Sequence, residues 1–359
     1  MQSRLLPQEA PATGLAQPPF APGAKIAVVV VNWNGYRDTV ECLASLRAAH
    51  RRPRRVIVVD NASRDGSIGA LTEWAGRAGV SYEVVSGAAR AKSTWLTIVS
   101  SATNLGFAGG NNLGLAHAAA DPAVTHFLLL NNDAAVEPDY FAELAKGCAA
   151  HPHAGLLSGT ILEAAAPHRV WYAGGAARPL RALMLHRRDV PADGEPRETE
   201  FISGCTMLIP RSTYESAGPL PECYFPGYWE DAEYCARVQA LGRPLIYVPR
   251  ARATHKVGSS FGSGASSPWV ARVQNRHRVL YVKRNMRGPR RIAALAYLIA
   301  TKPARGALEA LRGRVELGAA IVSGMFAGLL DRGARRPDPD APRATPGAAG
   351  EAVAAQRAD

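Results

Sequence analysis

The 359-residue chain lacks several features that would mark a protein class. Its five cysteines (Cys42, Cys148, Cys205, Cys223 and Cys235) are odd in number and form no C-x-x-C pair. A disulfide framework or a zinc site is therefore not expected, and a reducing cytosol is the simplest home. The N-terminal stretch has no unbroken apolar core of the signal-peptide kind. No apolar run reaches the roughly 18 residues that a spanning helix needs; the longest candidate, Leu317 to Leu330, has 14 uncharged residues. No internal repeat is present. Acidic residues are in deficit, 30 Asp and Glu against 42 Lys and Arg, for a formal charge of +12. From Lys283 to Arg314 there are nine basic residues and one acidic. Such a concentration suits nucleic acid or an anionic membrane, or is simply a solvated basic surface.

A core is not lacking. The chain is 47% hydrophobic and 20% charged, enough for one large or two ordinary domains. Residues 1 to 23 are proline-rich, and residues 333 to 359 are rich in Ala, Arg, Asp and Pro; both are expected to be disordered tails. Between them, apolar strands alternate with helical patterns. Strands are expected at 25 to 35, within 54 to 67, and at 81 to 86, 95 to 101 and 126 to 130. Helices are expected at 38 to 49, 67 to 78, after "NLGFAGG", and at 138 to 150. This order argues an α/β fold, with a mostly parallel sheet covered on both faces. Beyond residue 150 the pattern is less regular. A strand is expected at 199 to 210, a helix from 227 to 242, one or two short strands in 243 to 260, and helices at 268 to 286, 291 to 301 and 304 to 330.

Ligands of such sheets bind beyond the carboxyl ends of the strands. Three strand ends carry unusual polar residues: Asn32 to Asn34, Asp60 to Ser63, and Asn131 to Asp133. Asp60 suits an imide N–H or a ribose hydroxyl, and equally a helix N-cap. The glycines of "NLGFAGGNN" suit a backbone that approaches an anion, and equally a tight turn with helix packing. Asp133 suits Mg²⁺ or Mn²⁺, which prefer hard oxygen ligands, and equally capping. His255 is more often structural than a ligand, but would complete a metal shell. Glu230 and Asp231 open a helix, where acids are ordinary dipole partners. Behind the aromatic, glycine-containing "CYFPGYW" they also suit a general base beside a lid.

In chain order, "VVVNWNG", "VIVVDNASRDGS", "NLGFAGGNN", "FLLLNNDAAVEP", "ISGCTMLIPR", "WEDAEYCARVQALG" and "THKVGSS" resemble the family 2 glycosyltransferases, and most of all their rhamnosyltransferase-like branch. The resemblance covers residues 25 to 286. It implies a GT-A fold with a Rossmann-like sheet, a nucleotide-sugar-binding half (24 to 150) and an acceptor-binding half (151 to 286), followed by a basic helical extension (287 to 332). It also implies an inverting transfer from a nucleoside-diphosphate sugar, dTDP-L-rhamnose as the first guess, with a divalent metal. Asn32 and Asn34 would then line the nucleotide pocket. Asp60 would bind the base, with Asn61 and Ser63 nearby. Asn104, Gly106, Phe107, Gly109 and Gly110 would lie along the nucleotide and sugar. Asp133 would be the metal-binding acid and His255 a second ligand. Asp231 would be the general base, with Glu230 beside it. One departure is that the family's D-x-D motif stands as Asn131-Asn132-Asp133, so its first acid is an amide; Asn131 can still bind the ribose or a metal-bound water.

A lipid-linked or other glycan acceptor in cell-wall or surface polysaccharide synthesis is expected. The C-terminal helices are expected to lie on an anionic inner membrane surface, to pack as ordinary helices, or to form a dimer interface. The rival readings are a nucleotidyltransferase, which "VNWNGYRDT" with its one glycine fits poorly; a nucleic-acid binder, whose aromatics are not interleaved with the basic run; and an inactive transferase, against which Asp231 argues.

Overall fold

The computed structural model describes residues 24–87, 94–256 and 267–331. The expected tails, residues 88 to 93 between the strands expected at 81 to 86 and 95 to 101, and the "GSS" that ends the last motif lie outside these residues.

Continuous β-branched runs build the sheet. Strands β1 (Ile26–Asn32), β2 (Arg55–Asp60), β3 (Tyr82–Ser86), β4 (Leu96–Ser100) and β5 (His126–Leu130) are all parallel, in the order β5-β1-β2-β4-β3. Val28, Val29, Val30, Ile57, Val58 and Val59 are fully buried. Covering both faces of a parallel sheet is why these strands do not alternate in polarity, and each buried side chain contributes roughly 1.5–3 kcal/mol. Alternate residues still divide between two cores. Val28 and Val30 pack with Cys42, Leu43, Leu71 and Phe141, from helices α1 (Tyr36–Ala48), α2 (Ser67–Arg77) and α4 (Tyr140–Ala150). Ala27 and Val29 pack on the other face with Leu115 of α3 (Gly106–Ala119).

The second half extends this sheet. β12 (Thr206–Pro210) lies antiparallel to β5, and β7 (Leu156–Glu163) lies beyond it. β13 (Leu245–His255) is parallel to β7, and β11 (Arg197–Thr199) closes the edge. β6 (Ala134–Val136) pairs with β13, and β8 (Ala166–Tyr172) with β7. A ribbon of β9 (Gly175–Arg178) and β10 (Leu183–His186) stands apart. Helices α5 (Arg211–Ala217) and α6 (Glu230–Ala240) follow.

Three expectations are corrected. The stretch 199 to 210 is not one strand: residues 200 to 205 leave the sheet between β11 and β12, and their backbone groups bond instead to side chains such as Tyr172, Cys235 and, from Gly204, Asp231. The stretch 243 to 260 contains one long strand, β13, with a register shift between Val248 and Arg252. The C-terminal helices divide elsewhere than at Pro303. α7 (Pro268–Asn285) is followed by α8 (Gly288–Leu311), which runs through Pro303, and by α9 (Val315–Leu330). Pro303 and Ile299 are both exposed, so the carbonyl that loses its helical partner faces water.

The longest uncharged run, in α9, turns its glycine-lined side inward. Its glycines let backbones meet: a Cβ at Gly318 would strike the carbonyl oxygen of Gly306 in α8, and one at Gly324 that of Arg272 in α7. Among the described residues no helix is long and apolar enough to cross a membrane.

Candidate active site

Parallel register places the polar strand ends side by side. Asn32 is opposite Asp60, and Asp60 opposite Ser100. Asn32 is fully buried. Its Nδ2 donates to Asp60 Oδ1 (2.8 Å) and Ser63 Oγ (3.1 Å), and its Oδ1 accepts from Thr39 Oγ1 (2.7 Å). Asp60 Oδ2 accepts the Ser63 N–H (3.2 Å). Asp60 therefore closes a turn and does not cap α2, whose N-cap is Gly66. Asn34 adopts a left-handed backbone (φ 52°) and accepts the Arg64 N–H at 2.7 Å. Asn132 Nδ2 lies 3.2 Å from Thr39 Oγ1, so one hydroxyl joins two strand ends.

The glycine-rich turn is tied to the same rim. Asn61 donates to Asn104 Oδ1 (2.9 Å) and the Gly106 carbonyl (3.1 Å), and accepts the Leu105 N–H (2.8 Å). Gly106 sits at φ +70°, where a Cβ would meet the Phe225 ring at 2.7 Å, so both its conformation and its space require glycine. The Phe107 N–H donates to the Pro226 carbonyl at 2.7 Å. Gly109 and Gly110 lie inside α3, where a Cβ would meet Leu105 at 2.8 Å and Val31 at 2.9 Å respectively. They bring the helix close to its neighbours.

Asp133 and His255 come together from residues 122 positions apart. β6 pairs with β13 so that His255 faces Ala134, which sets His255 Nε2 3.1 Å from Asp133 Oδ1. Both side chains are buried. Burial opposes protonation of His255, but the Cys205 sulfur and the Asp133 carboxylate beside it lift its pKa to about 11. Protonated, His255 supplies the positive charge that this buried acid requires; a cation bound here would take the place of that proton, because only a neutral imidazole can ligate. Asn131 Nδ2 lies 3.4 Å from His255 Nε2, and Asn131 Oδ1 is buried with no hydrogen-bond partner among the described residues. Trp171 meets the His255 ring edge-on, with centroids 4.9 Å apart.

These residues fit a divalent cation. A separation of about 3 Å is what two adjacent ligands of an octahedral ion adopt at bonds of about 2.1 Å. The orphaned Asn131 oxygen adds a third hard donor. Among the described residues no group of three or more His, Cys, Asp and Glu side chains is positioned to hold a metal, so these side chains would supply only part of a cation's shell.

The carboxyl pair opens α6. Asp231 Oδ1 accepts the Ala232 N–H (2.8 Å) and Oδ2 accepts the Gly204 N–H (3.0 Å), and part of its surface stays exposed. Glu230 is buried, and its Oε2 has no hydrogen-bond partner among the described residues. Burial raises both pKa values; the Asp231 charge raises Glu230 further, to well above the ordinary range. Glu230 is the neutral member and Asp231 the ionised one, because Glu230 is the more buried and carries the added repulsion of the Asp231 charge, whereas Asp231 keeps part of its surface exposed. The irregular 200 to 205 stretch joins the two centres: Gly204 donates to Asp231, while the Cys205 carbonyl accepts the Asn131 N–H at 2.9 Å.

Several residues of this constellation escaped the sequence reading. Thr39, Gly204 and Trp171 act through contacts between distant segments, and nothing in their local pattern signals it. Glu233, one turn into α6, accepts from Tyr224 (2.6 Å), Arg284 (2.7 and 2.8 Å) and Asn285 (3.2 Å). Burial raises its pKa, but the Arg284 guanidinium and Tyr224 outweigh that and hold it below the usual range.

A model of the family described as "Glycosyl transferase family 2" matches residues 27–216. An N-acetylglucosaminyl-diphospho-decaprenol L-rhamnosyltransferase of Mycobacterium tuberculosis is 24% identical over 266 residues, which cover 68% of this chain and 80% of the relative. The mannosyltransferase PcManGT from Pyrobaculum calidifontis, solved with GDP-Man and Mn²⁺, superposes with a TM-score of 0.51 at 18% identity, covering 86% of this chain and 88% of that one. GalNAc-T7, solved with UDP, GalNAc and Mn²⁺, superposes with a TM-score of 0.55 at 15% identity, covering 72% of this chain and 48% of that one.

Proposed function

The chain belongs to glycosyl transferase family 2 and is a glycosyltransferase of GT-A architecture, and from that premise we propose an inverting transfer of a sugar from a nucleoside-diphosphate donor to a hydroxyl of a lipid-linked glycan. The first donor to try is dTDP-L-rhamnose. The first acceptor is an N-acetylglucosaminyl-diphospho-prenol, the chemistry in the name of its mycobacterial relative. Residues 24 to 150 are the donor half and 151 to 286 the acceptor half.

The observation that carries this reading is the convergence on one rim of the Asp133–His255 pair and the Asp231 carboxylate, joined through Gly204 and Cys205. Asn32, Asn34, Asp60, Asn61 and Ser63 frame the nucleoside end, with Asp60 toward the base. The turn from Asn104 to Gly110 runs along the diphosphate and sugar. Asp133, His255 and Asn131 would hold Mg²⁺ or Mn²⁺. When bound, the cation neutralises charge that builds on the departing diphosphate. Asp231 takes the acceptor proton as the hydroxyl attacks the anomeric carbon from the face opposite the leaving group. One displacement inverts that centre. Neutral Glu230 beside it adds no charge that would repel the oxygen.

The test is turnover of a panel of nucleotide sugars with Mn²⁺ or Mg²⁺, then with chelator, in the wild type and in Asp133→Ala. Slow hydrolysis of the donor suffices as a signal. Metal-dependent release of one nucleoside diphosphate, lost in the variant, is the expected result. Absence of nucleotide-sugar binding by calorimetry, with or without metal, would overturn the reading.

A further inference from the structure

The face of α8 that points away from the protein is unusual for a helix in water. Every exposed position from 292 to 304 is alanine, isoleucine, tyrosine or proline. Ile292 is 71% exposed and Ile299 47%. The apolar surface continues to the α8–α9 turn, where Leu311 is 86% and Val315 63% exposed. A helix of this length is about 36 Å long, so the patch runs along one flank of the molecule. The longest uncharged run, in α9, is divided: Gly318, Ile321, Gly324, Met325 and Gly328 are buried, while Phe326 and Leu330 are exposed.

Both ends of this face are basic. Arg287, Arg290 and Arg291 are exposed at its start. Arg305, Arg312 and Arg314 lie at its far end; of the two acids there, Glu309 is buried among them and Glu316 is exposed beside Val315, so the balance stays positive. Lys302 sits beside the patch, half-buried. Burial, then the positive charges of Arg278 and Arg305, push its pKa down to about 8, as expected of a cation in an already positive field.

We propose that this face of α8, with Leu311 and Val315, docks the protein in plane on an anionic lipid bilayer. The alanines and isoleucines would enter the boundary between head groups and acyl chains, while the arginines at either end reach lipid phosphates. Charge complementarity chooses this occupant. A second copy would set two arginine-flanked faces against each other, which like-charge repulsion disfavours. Nucleic acid would meet the arginines but leave the apolar middle uncovered. The inference goes beyond sugar transfer and does not rest on it.

The experiment is flotation of the full chain with vesicles of phosphatidylcholine alone and with about one third phosphatidylglycerol. Wild type is expected to bind the anionic vesicles about 100-fold more strongly than the neutral ones, and to lose much of this in high salt. The triple variant Ile292→Glu, Ile299→Glu, Leu311→Glu is expected to bind at least about tenfold more weakly. Its unchanged thermal melt would show that it is folded. A variant that floats like the wild type, or equal binding to both vesicle types, would overturn the proposal. So would a concentration-dependent dimer in light scattering that the same substitutions abolish, because the face would then belong to a second copy.

Discussion

Two adjacent carboxyl groups open α6, and their surroundings divide the labour between them. Asp231 receives N–H groups from Gly204 and Ala232 and keeps a path to the surface, whereas Glu230 is buried without a donor on Oε2. A base with a raised pKa loses activity as pH falls through that value, because protonation removes the acceptor of the proton. The rate profile of kcat/KM should therefore show an acidic limb above the ordinary aspartate range of about 4. Glu230→Gln should leave that limb in place, since the residue is already neutral; a limb that moves to the ordinary range in this variant would assign the titration to Glu230. Asp231→Asn should lower transfer by roughly 100- to 10,000-fold with donor binding retained, as measured by calorimetry beside kinetics. At this scale the sequence was informative where chemistry and position coincide. Asp133, His255 and Asp231 stood out as acids or imidazole at element ends. Asn61 and Gly110 also stood out, but the structure gives them evident work within the protein: the amide holds the 104–106 turn, and the glycine lets α3 approach Val31.

At the scale of the element, α7 sets the start of α6. His277 is fully buried. Burial, then Arg276, pushes its pKa down to about 4, so the ring is neutral. Arg276 donates to Nε2 (2.8 Å), which leaves the proton on Nδ1 to donate to the Gly227 carbonyl (3.0 Å). That bond holds a loop in which Tyr228 and Trp229 both adopt left-handed backbone (φ 72° and 82°), a conformation that needs external support in non-glycine residues. Glu233 and Arg284 fasten the next turn. His277→Ala should relax the loop and misplace Asp231. The expected outcome is a kcat about ten- to a hundredfold lower with donor KM little changed. An unchanged kcat would mean that the loop holds its shape without α7. None of this was visible in "NRHRVLYVKRN", where the histidine is one polar residue among many.

For the whole molecule, the C-terminal helices are part of the folded body. α9 packs on α7 and α8 through backbone contacts that no larger residue permits, so Gly324→Leu should force the helices apart and cost about 1–3 kcal/mol or more. Denaturant titration would register this as a lower midpoint; an unchanged midpoint would mean that α9 is only loosely attached. If α7 loses its seat on α9, the support of the α6 loop weakens with it.

The sequence by itself determined the parallel half of the sheet, because buried β-branched runs and the polar residues that end them are written locally and need no partner to be recognised. It also determined which residue types could carry chemistry. Only the tertiary structure decided what lies between and beyond them. Pairing of β6 with β13 brings Asp133 to His255, and the break between β11 and β12 turns the Gly204 N–H toward Asp231. Packing turns the glycine-lined side of α9 inward and leaves the uncharged face of α8 in the open. Each of these depends on contacts between segments far apart in the chain, whose register and facing are set by the assembled fold and leave no periodic trace in the sequence.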